Sequence, residues 1–251
     1  LGDVYKRQEE VVAASEKIRA SGKMQHPYAA AYKAGWNLAE EFVNMFIGHG
    51  GEFFKAGTAE PNINNAKGVA TLNMLKKLAS LSNPDYLTHD SEAIKVEWES
   101  GKVALMTLWA SRSGTLLDDE GDAKITAATK LTGPATVGGG NIPAATLWWD
   151  GFTLAKNRSD SDAESTFIAL AHAASNKKMV ADAADQAVWL VEGFVPGPKS
   201  IGVIEAVKMG AKPYPMLPQM GLMHGALGSE IVEFLQGCLL YTSPSPRDLL
   251  K

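Results

Sequence analysis

The stretch from Gly138 to Lys156, GGGNIPAATLWWDGFTLAK, constrains the fold more than any other in the chain. Two adjacent tryptophans and an aspartate interrupt an apolar run set between glycines, and the run reads as a strand. Successive side chains of a strand point to opposite faces, so Trp148 and Asp150 are expected on one face and Trp149 on the other. Flat C–H surfaces stack on aromatic rings, and a rim of hydroxyls needs charged or amide partners. Trp148, Trp149 and Asp150 offer both, which makes the segment a candidate wall of a carbohydrate-binding cleft. Two core tryptophans on an ordinary strand account for the same residues.

At 251 residues and 45% hydrophobic, the chain suffices for one large domain or two smaller ones. Its ends do not read as protein. DVYKRQ, from Asp3 to Gln8, can be encoded by GATGTGTATAAGAGACA plus one base, and the reverse complement of that DNA translates as CLLYTS, which is Cys238 to Ser243. Residues 1–8 and 238–251 are therefore expected to be non-native adapter read-through, with an internal fragment between them. Cys238 is the single cysteine, so no disulfide, thiol or cysteine-metal chemistry can be argued for the rest. Between Glu9 and Gly237, 20 basic and 26 acidic residues leave a balance of −6, which argues against a nucleic-acid or anionic-membrane surface. No apolar run approaches the roughly 20 residues that span a bilayer.

Helical spacing predicts helices over Glu9–Ala20, Pro27–Gly48, Asn64–Ser80, Ser91–Ser100, Ser159–Ser175, Asn176–Ala187, Gly202–Gly210 and Gln219–Gly237. In the second of these, Tyr28, Tyr32 and Trp36 recur every four residues and are expected along one face, as a packing stripe or the lip of a site. The Ser159–Ser175 helix is expected to bury Phe167, Ile168, Leu170 and Ala171. Glu52–Lys55 reads as a short edge strand, Lys102–Trp109 as a strand buried on both faces, and Lys124–Pro134 as an extended crossing segment. The Lys102–Trp109 strand runs into Ser111 and Arg112 just before a helix start, where free backbone N–H groups collect polar ligands. Strands alternating with helices imply an α/β architecture.

The order of four stretches carries a resemblance to a known family. EWESGKVALMTLW, Glu97–Trp109, is similar to the F-x-x-G-K-A-A-M-hydrophobic stretch of the extracellular solute-binding proteins of sugar ABC transporters, the maltose-binding-like group. In matching order stand Gly50-Gly51 before the Asn64–Ala79 helix, the Gly-rich Trp-Trp strand before Lys156–Ala171, and Pro215–Gly237 with Pro218-Gln219-Met220. The resemblance covers nearly all of 9–237. It implies a periplasmic-binding-protein-like, two-lobed (Venus flytrap) fold with a ligand in the cleft and hinge closure, here lacking the first half of lobe 1. Residues 9–132 and 199–237 would form the second lobe, and 133–198 a returning part of the first. It further implies a periplasmic or extracytoplasmic location, membrane permease subunits as partners, and a monomer when complete. Two positions depart from the family's pattern: Ser111 where an aromatic often follows the G-K-A-A-M strand, and His224 where maltose-binding relatives place a stacking aromatic.

The expected ligand set is Trp36, Trp109, Trp148 and Trp149 for stacking, with Asn37, Ser111, Arg112, Asp150 and His224 for hydroxyls. No metal, cofactor or catalytic residue is expected. A glycoside-processing enzyme would need two carboxyl groups roughly 5–9.5 Å apart, and Asp118-Asp119-Glu120 sits in a polar stretch that reads as solvent-facing. The five histidines are scattered, and Gly138-Gly139-Gly140 lacks the spacing of a nucleotide loop. A polyol, glycerol phosphoester or polyamine remains open as the solute. The last two would want clustered basic or acidic side chains, where only Arg112 and Asp150 stand out.

Overall fold

The computed structural model describes residues 6–118, 121–175, 181–183, 188–189 and 191–238. The helix expected over Asn176–Ala187 lies largely outside them. In chain order the elements that position the site are α1 (Gln8–Ala20), β1 (Tyr28–Ala29), α2 (Trp36–Gly48), α3 (Ala66–Ala79), α4 (Ser91–Glu99), β2 (Leu105–Met106), α5 (Ala110–Ser113), α6 (Ala123–Ala128), β3 (Thr146–Leu147), α7 (Asp160–Ser175), α8 (Ile201–Lys208), β4 (Lys212–Pro213) and α9 (Met220–Leu235). None of the described helices is long and apolar enough to cross a membrane.

The core is a helical layer of α2, α3 and α9. Apolar residues repeat at helical spacing on each, and burying them supplies the main stabilisation. Leu38, Phe42, Val43 and Phe46 of α2 meet Leu75 and Leu78 of α3, with Met220, Leu227 and Ile231 of α9 in the same cluster. Asn65 caps α3, its side chain accepting from the backbone N–H groups of Lys67 (2.8 Å) and Gly68 (3.2 Å). A smaller cluster of Ala29, Ala31, Ile94 and Val103 lies beside it.

α2 and α9 approach backbone to backbone at one point. Gly35 takes φ +96°, a conformation that side-chain-bearing residues rarely adopt, and its N–H donates to the Gly228 carbonyl at 3.1 Å. A Cβ at Gly228 would lie 2.6 Å from the Gly35 carbonyl carbon. Because His224 precedes Gly228 by four residues on the same face of α9, this contact sets Trp36 directly over His224.

Four expectations are corrected. The helix expected over Pro27–Gly48 begins only at Trp36, and Tyr28–Ala29 forms a parallel pair with Leu105–Met106. A spacing of four is even, so it keeps residues on one face of an extended chain as well as of a helix, and tertiary pairing decided between them. Tyr28 donates its hydroxyl to Thr107 Oγ1 (2.8 Å), and Tyr32 meets the Tyr86 ring edge-on. Lys102–Trp109 pairs only through Leu105–Met106, both half-buried, because β2 has β1 alone as a partner among the described residues. Lys124–Pro134 is not extended throughout: Asp122 caps α6 by accepting from the Lys124 N–H at 2.8 Å, and an alanine-rich turn follows. Glu52–Lys55 contributes only an isolated bridge between Phe54 and Pro61.

α7 forms where expected but buries none of its residues; Phe167 is 64% and Ile168 60% exposed. At the other end of the chain, Arg7 bridges to Thr136 and the Gln8 N–H donates to the Thr136 carbonyl (2.8 Å), so residues read as non-native are nonetheless held against the fold.

Candidate functional site

Four separate segments bring aromatic rings to one place. Trp36 is the first residue of α2, Trp109 the residue that caps the start of α5, Trp148 the residue after β3, and Tyr214 the residue after β4. β3 and β4 run parallel with Thr146 opposite Lys212 and Leu147 opposite Pro213, so the next residues along, Trp148 and Tyr214, come side by side. Their ring centroids are 4.2 Å apart. Trp36 meets Trp109 edge-to-face at 5.4 Å, leans on Trp148 at 5.9 Å and stacks on His224 at 5.2 Å. These are the separations at which aromatic rings attract one another beyond their buried area.

The result is a shelf rather than a closed cavity. Trp36 is 49% and Trp148 40% exposed, large values for indoles already packed against neighbours. Two concavities of the described surface lie elsewhere, one between Gly50, Asn62 and Lys67 and one between His26, Asn83 and Lys102.

His224 is placed beneath the shelf. It is only 5% exposed, and both ring nitrogens are engaged within the protein. Nε2 lies 3.0 Å from the Trp36 carbonyl, which can only accept, so Nε2 carries the proton. Nδ1 then accepts the Tyr214 hydroxyl at 2.8 Å. Burial holds the imidazole below its ordinary pKa, with the bond to the Trp36 carbonyl pulling the other way. His224 therefore braces Trp36 and Tyr214 and has no nitrogen left for a ligand hydroxyl, which corrects the direct contact expected of it.

The remaining expected residues are arranged less tightly. Trp149 is 53% exposed and makes no ring contact among the described residues; Asp150 beside it is exposed. Regular strand geometry ends at Leu147, so the alternation expected for 148–150 does not apply there. Arg112 forms an ion pair with Glu92 on the surface, Ser111 is exposed, and Asn37 is half-buried one residue into α2.

Two residues of the assembly are absent from the sequence-based expectation. Tyr214 lies in the run Pro213–Pro218, whose prolines speak in the sequence only against a helix interior. Glu40 lies under Trp148, 2% exposed, within hydrogen-bonding distance of Thr146 Oγ1 (2.8 Å) and the Trp148 indole N–H (3.3 Å). Burial pushes its carboxyl up to about 7. Its neighbour Glu41, also buried, is pushed up to about 8, first by burial and then by the Glu40 charge. The Tyr214 hydroxyl is raised to about 12, by burial and by the same charge. The sequence did hold a signal: two adjacent carboxylates inside WNLAEEFVNMFIG, a helix apolar on nearly every side, have little solvent to turn to. Among the described residues no group of three His, Cys, Asp or Glu side chains could hold a metal ion.

The fold, helices around short parallel strand pairs, is shared with solved structures of sugar- and polyol-binding proteins. The chain superposes over 99% of its length on the maltose-bound T. maritima MalE3, with a TM-score of 0.76 and 15% identity, covering 64% of that chain. It likewise matches the maltotriose-bound maltose/maltodextrin-binding domain MalE of Bdellovibrio bacteriovorus (TM-score 0.71, 15% identity, 100% of this chain and 66% of that one). A third match is an ABC transporter solute-binding protein from Agrobacterium radiobacter K84 in complex with ribitol (TM-score 0.69, 17% identity, 99% of this chain and 63% of that one). The chain thus spans just under two thirds of the length of the structures it resembles. No family model matches the sequence, and no curated protein does.

Proposed function

We propose that the protein is the substrate-binding component of an ABC importer, holding a sugar or short oligosaccharide between two lobes and delivering it to a membrane permease. The observation that carries this is the shelf: three indoles, two of them close to half exposed, joined from α2, the start of α5 and the end of β3, within a solute-binding-protein fold. An open aromatic face is one wall of a cleft. It takes the C–H face of a pyranose, and exposed Asp150 and Ser111 and half-buried Asn37, each one or two residues along the chain from a shelf ring, are offered for hydroxyls. In the lobe assignment that goes with this reading, 9–132 and 199–237 form the second lobe and 133–198 belong to the first. Trp36 and Trp148, already packed at 5.9 Å, together form one wall of the cleft, over which the facing lobe closes as the hinge moves. The location is extracytoplasmic, the role is non-enzymatic, and the working unit is a monomer.

A polyol fits the same chemistry, and structural neighbours hold ribitol and D-mannitol. A phosphoester is disfavoured because Arg112 is already paired with Glu92. A polyamine is disfavoured because Glu40 and Glu41 are sealed from solvent, leaving exposed Asp150, two residues beyond Trp148, as the carboxylate next in sequence to a shelf ring. Calorimetric titration against sugars, polyols and polyamines tests the proposal. Saturable binding of a sugar or polyol is expected, weakened about tenfold or more in Trp148→Ala, since burying such a ring face is worth on the order of 1.5–3 kcal/mol. Turnover of a glycoside, or binding of a polyamine alone, overturns it.

A further inference from the structure

We infer that Glu40 is a positioning residue for the shelf: its carboxyl group, buried beneath Trp148, fixes that indole and the Thr146 hydroxyl and so ties the 146–148 segment to α2. The functional meaning of this rests on the sugar-binding reading; the geometry does not.

Thr146 Oγ1 is the hub. It lies 2.8 Å from Glu40 Oε1, 2.8 Å from Asn44 Oδ1 and 3.0 Å from the Trp148 indole nitrogen. The indole N–H only donates, and a hydroxyl has one proton to give. Of the two oxygens at 2.8 Å, one accepts the Thr146 proton and the other must bring a proton of its own. A carboxylic acid does so. Asn44 presenting its amide nitrogen would also satisfy the hub, but would leave Glu40 an anion whose Oε2 is buried without a partner. An unpaired oxygen costs far more as half of a buried charge than as a neutral carbonyl. Glu40 in its acid form donates to Thr146, leaves the Thr146 proton for Asn44, and accepts weakly from Trp148.

The surroundings agree. The titratable groups facing Glu40 are Glu41 on α2 and Tyr214 beyond β4, with His224 of α9 behind Tyr214, and none supplies a positive charge at neutral pH. Among the described residues neither Glu40 nor Glu41 forms an ion pair; hydrogen bonds from Thr146, Trp148 and Asn44 favour the Glu40 anion, and burial outweighs them. An apolar residue would fill this position without desolvation cost. A carboxyl that reaches two atoms of the neighbouring segment instead gives the indole a fixed tilt.

The test reads Trp148 without needing a ligand. Tryptophan emission of the chain is followed against pH at high dilution, together with Glu40→Gln, Glu41→Gln and Trp148→Phe. The wild-type emission is expected to shift through one transition near pH 7, where Glu40 ionises. The transition vanishes in Glu40→Gln and in Trp148→Phe and survives in Glu41→Gln. A transition unchanged in Glu40→Gln overturns the inference. Should that variant not fold by circular dichroism, a transition undiminished in Trp148→Phe overturns it equally. Where a sugar binds the wild type, Glu40→Gln keeps its affinity within about twofold, and Glu40→Leu loses about tenfold, the scale of one buried hydrogen bond. Wild type that binds no sugar but shows the Glu40-dependent transition removes the sugar reading and leaves the positioning role standing. Sugar binding with no such transition does the reverse.

Discussion

The α2–α3–α9 layer and the α7 segment are built from similar residues and end in opposite environments. Leu38, Phe46, Leu75 and Leu78 are 0% exposed, whereas Phe167 and Ile168 of α7 are 64% and 60% exposed. Helical spacing of apolar residues says that a face needs a partner, and only the rest of the fold says whether one is present. The first region closes on itself within the chain. The second offers an apolar face to solvent, and such faces promote association.

The largest effects should fall in the first region. Phe46→Ala is expected to lower unfolding free energy by about 3–5 kcal/mol through a cavity. Phe167→Ala should change it by less than about 0.5 kcal/mol. Chemical denaturation measures both, and equal losses would erase the distinction. Gly228→Ala tests how the layer positions the shelf. Its new methyl collides with the Gly35 carbonyl, so stability is expected to fall by about 1–3 kcal/mol through overpacking, and Trp36 to separate from His224. An unchanged melt and unchanged tryptophan emission would refute that coupling.

The pH dependence is of similar size. Glu40 and Glu41 have folded pKa values near 7 and 8, above the ordinary 4.5, so the stability they contribute is full below about pH 4.5 and is lost as pH rises through 7 and 8. Glu40→Gln should therefore lose less stability between pH 5 and pH 8 than the wild type, by on the order of 3 kcal/mol. Parallel pH profiles would contradict the buried-acid reading. The smallest change in free energy carries a visible consequence: Phe167→Lys with Ile168→Glu should leave the melt nearly unchanged while reducing concentration-dependent aggregation in light scattering. Undiminished aggregation would place the sticky surface elsewhere.

The shelf was legible in part because its members are conspicuous. Trp36, Trp109 and Trp148 stand out in the sequence as candidate stacking rings, with core packing the competing reading for Trp36 and Trp148, and only the register of β3 with β4 brings Trp148 to Tyr214. Tyr28 and Tyr32 were misplaced on a helix because a four-residue spacing suits both kinds of backbone. Lys124–Pro134 departs from the extended segment its sequence suggests because Asp122 caps a helical turn at its start. His224 looks like a ligand group in the sequence because only the fold shows that the Trp36 carbonyl and the Tyr214 hydroxyl occupy both its nitrogens. α7 is the reverse case: its pattern predicts burial of Phe167 and Ile168, which are exposed, because among the described residues no element covers that face.

The central claim is that the indoles of Trp36 and Trp148 are a ligand face. Residue-resolved oxidation of tryptophan by N-bromosuccinimide, read by mass spectrometry with and without saturating sugar or polyol, addresses it directly. Trp36 and Trp148 should oxidise readily in the free protein and be protected in the bound one. Oxidation of both at an unchanged rate while the ligand is demonstrably bound would contradict it.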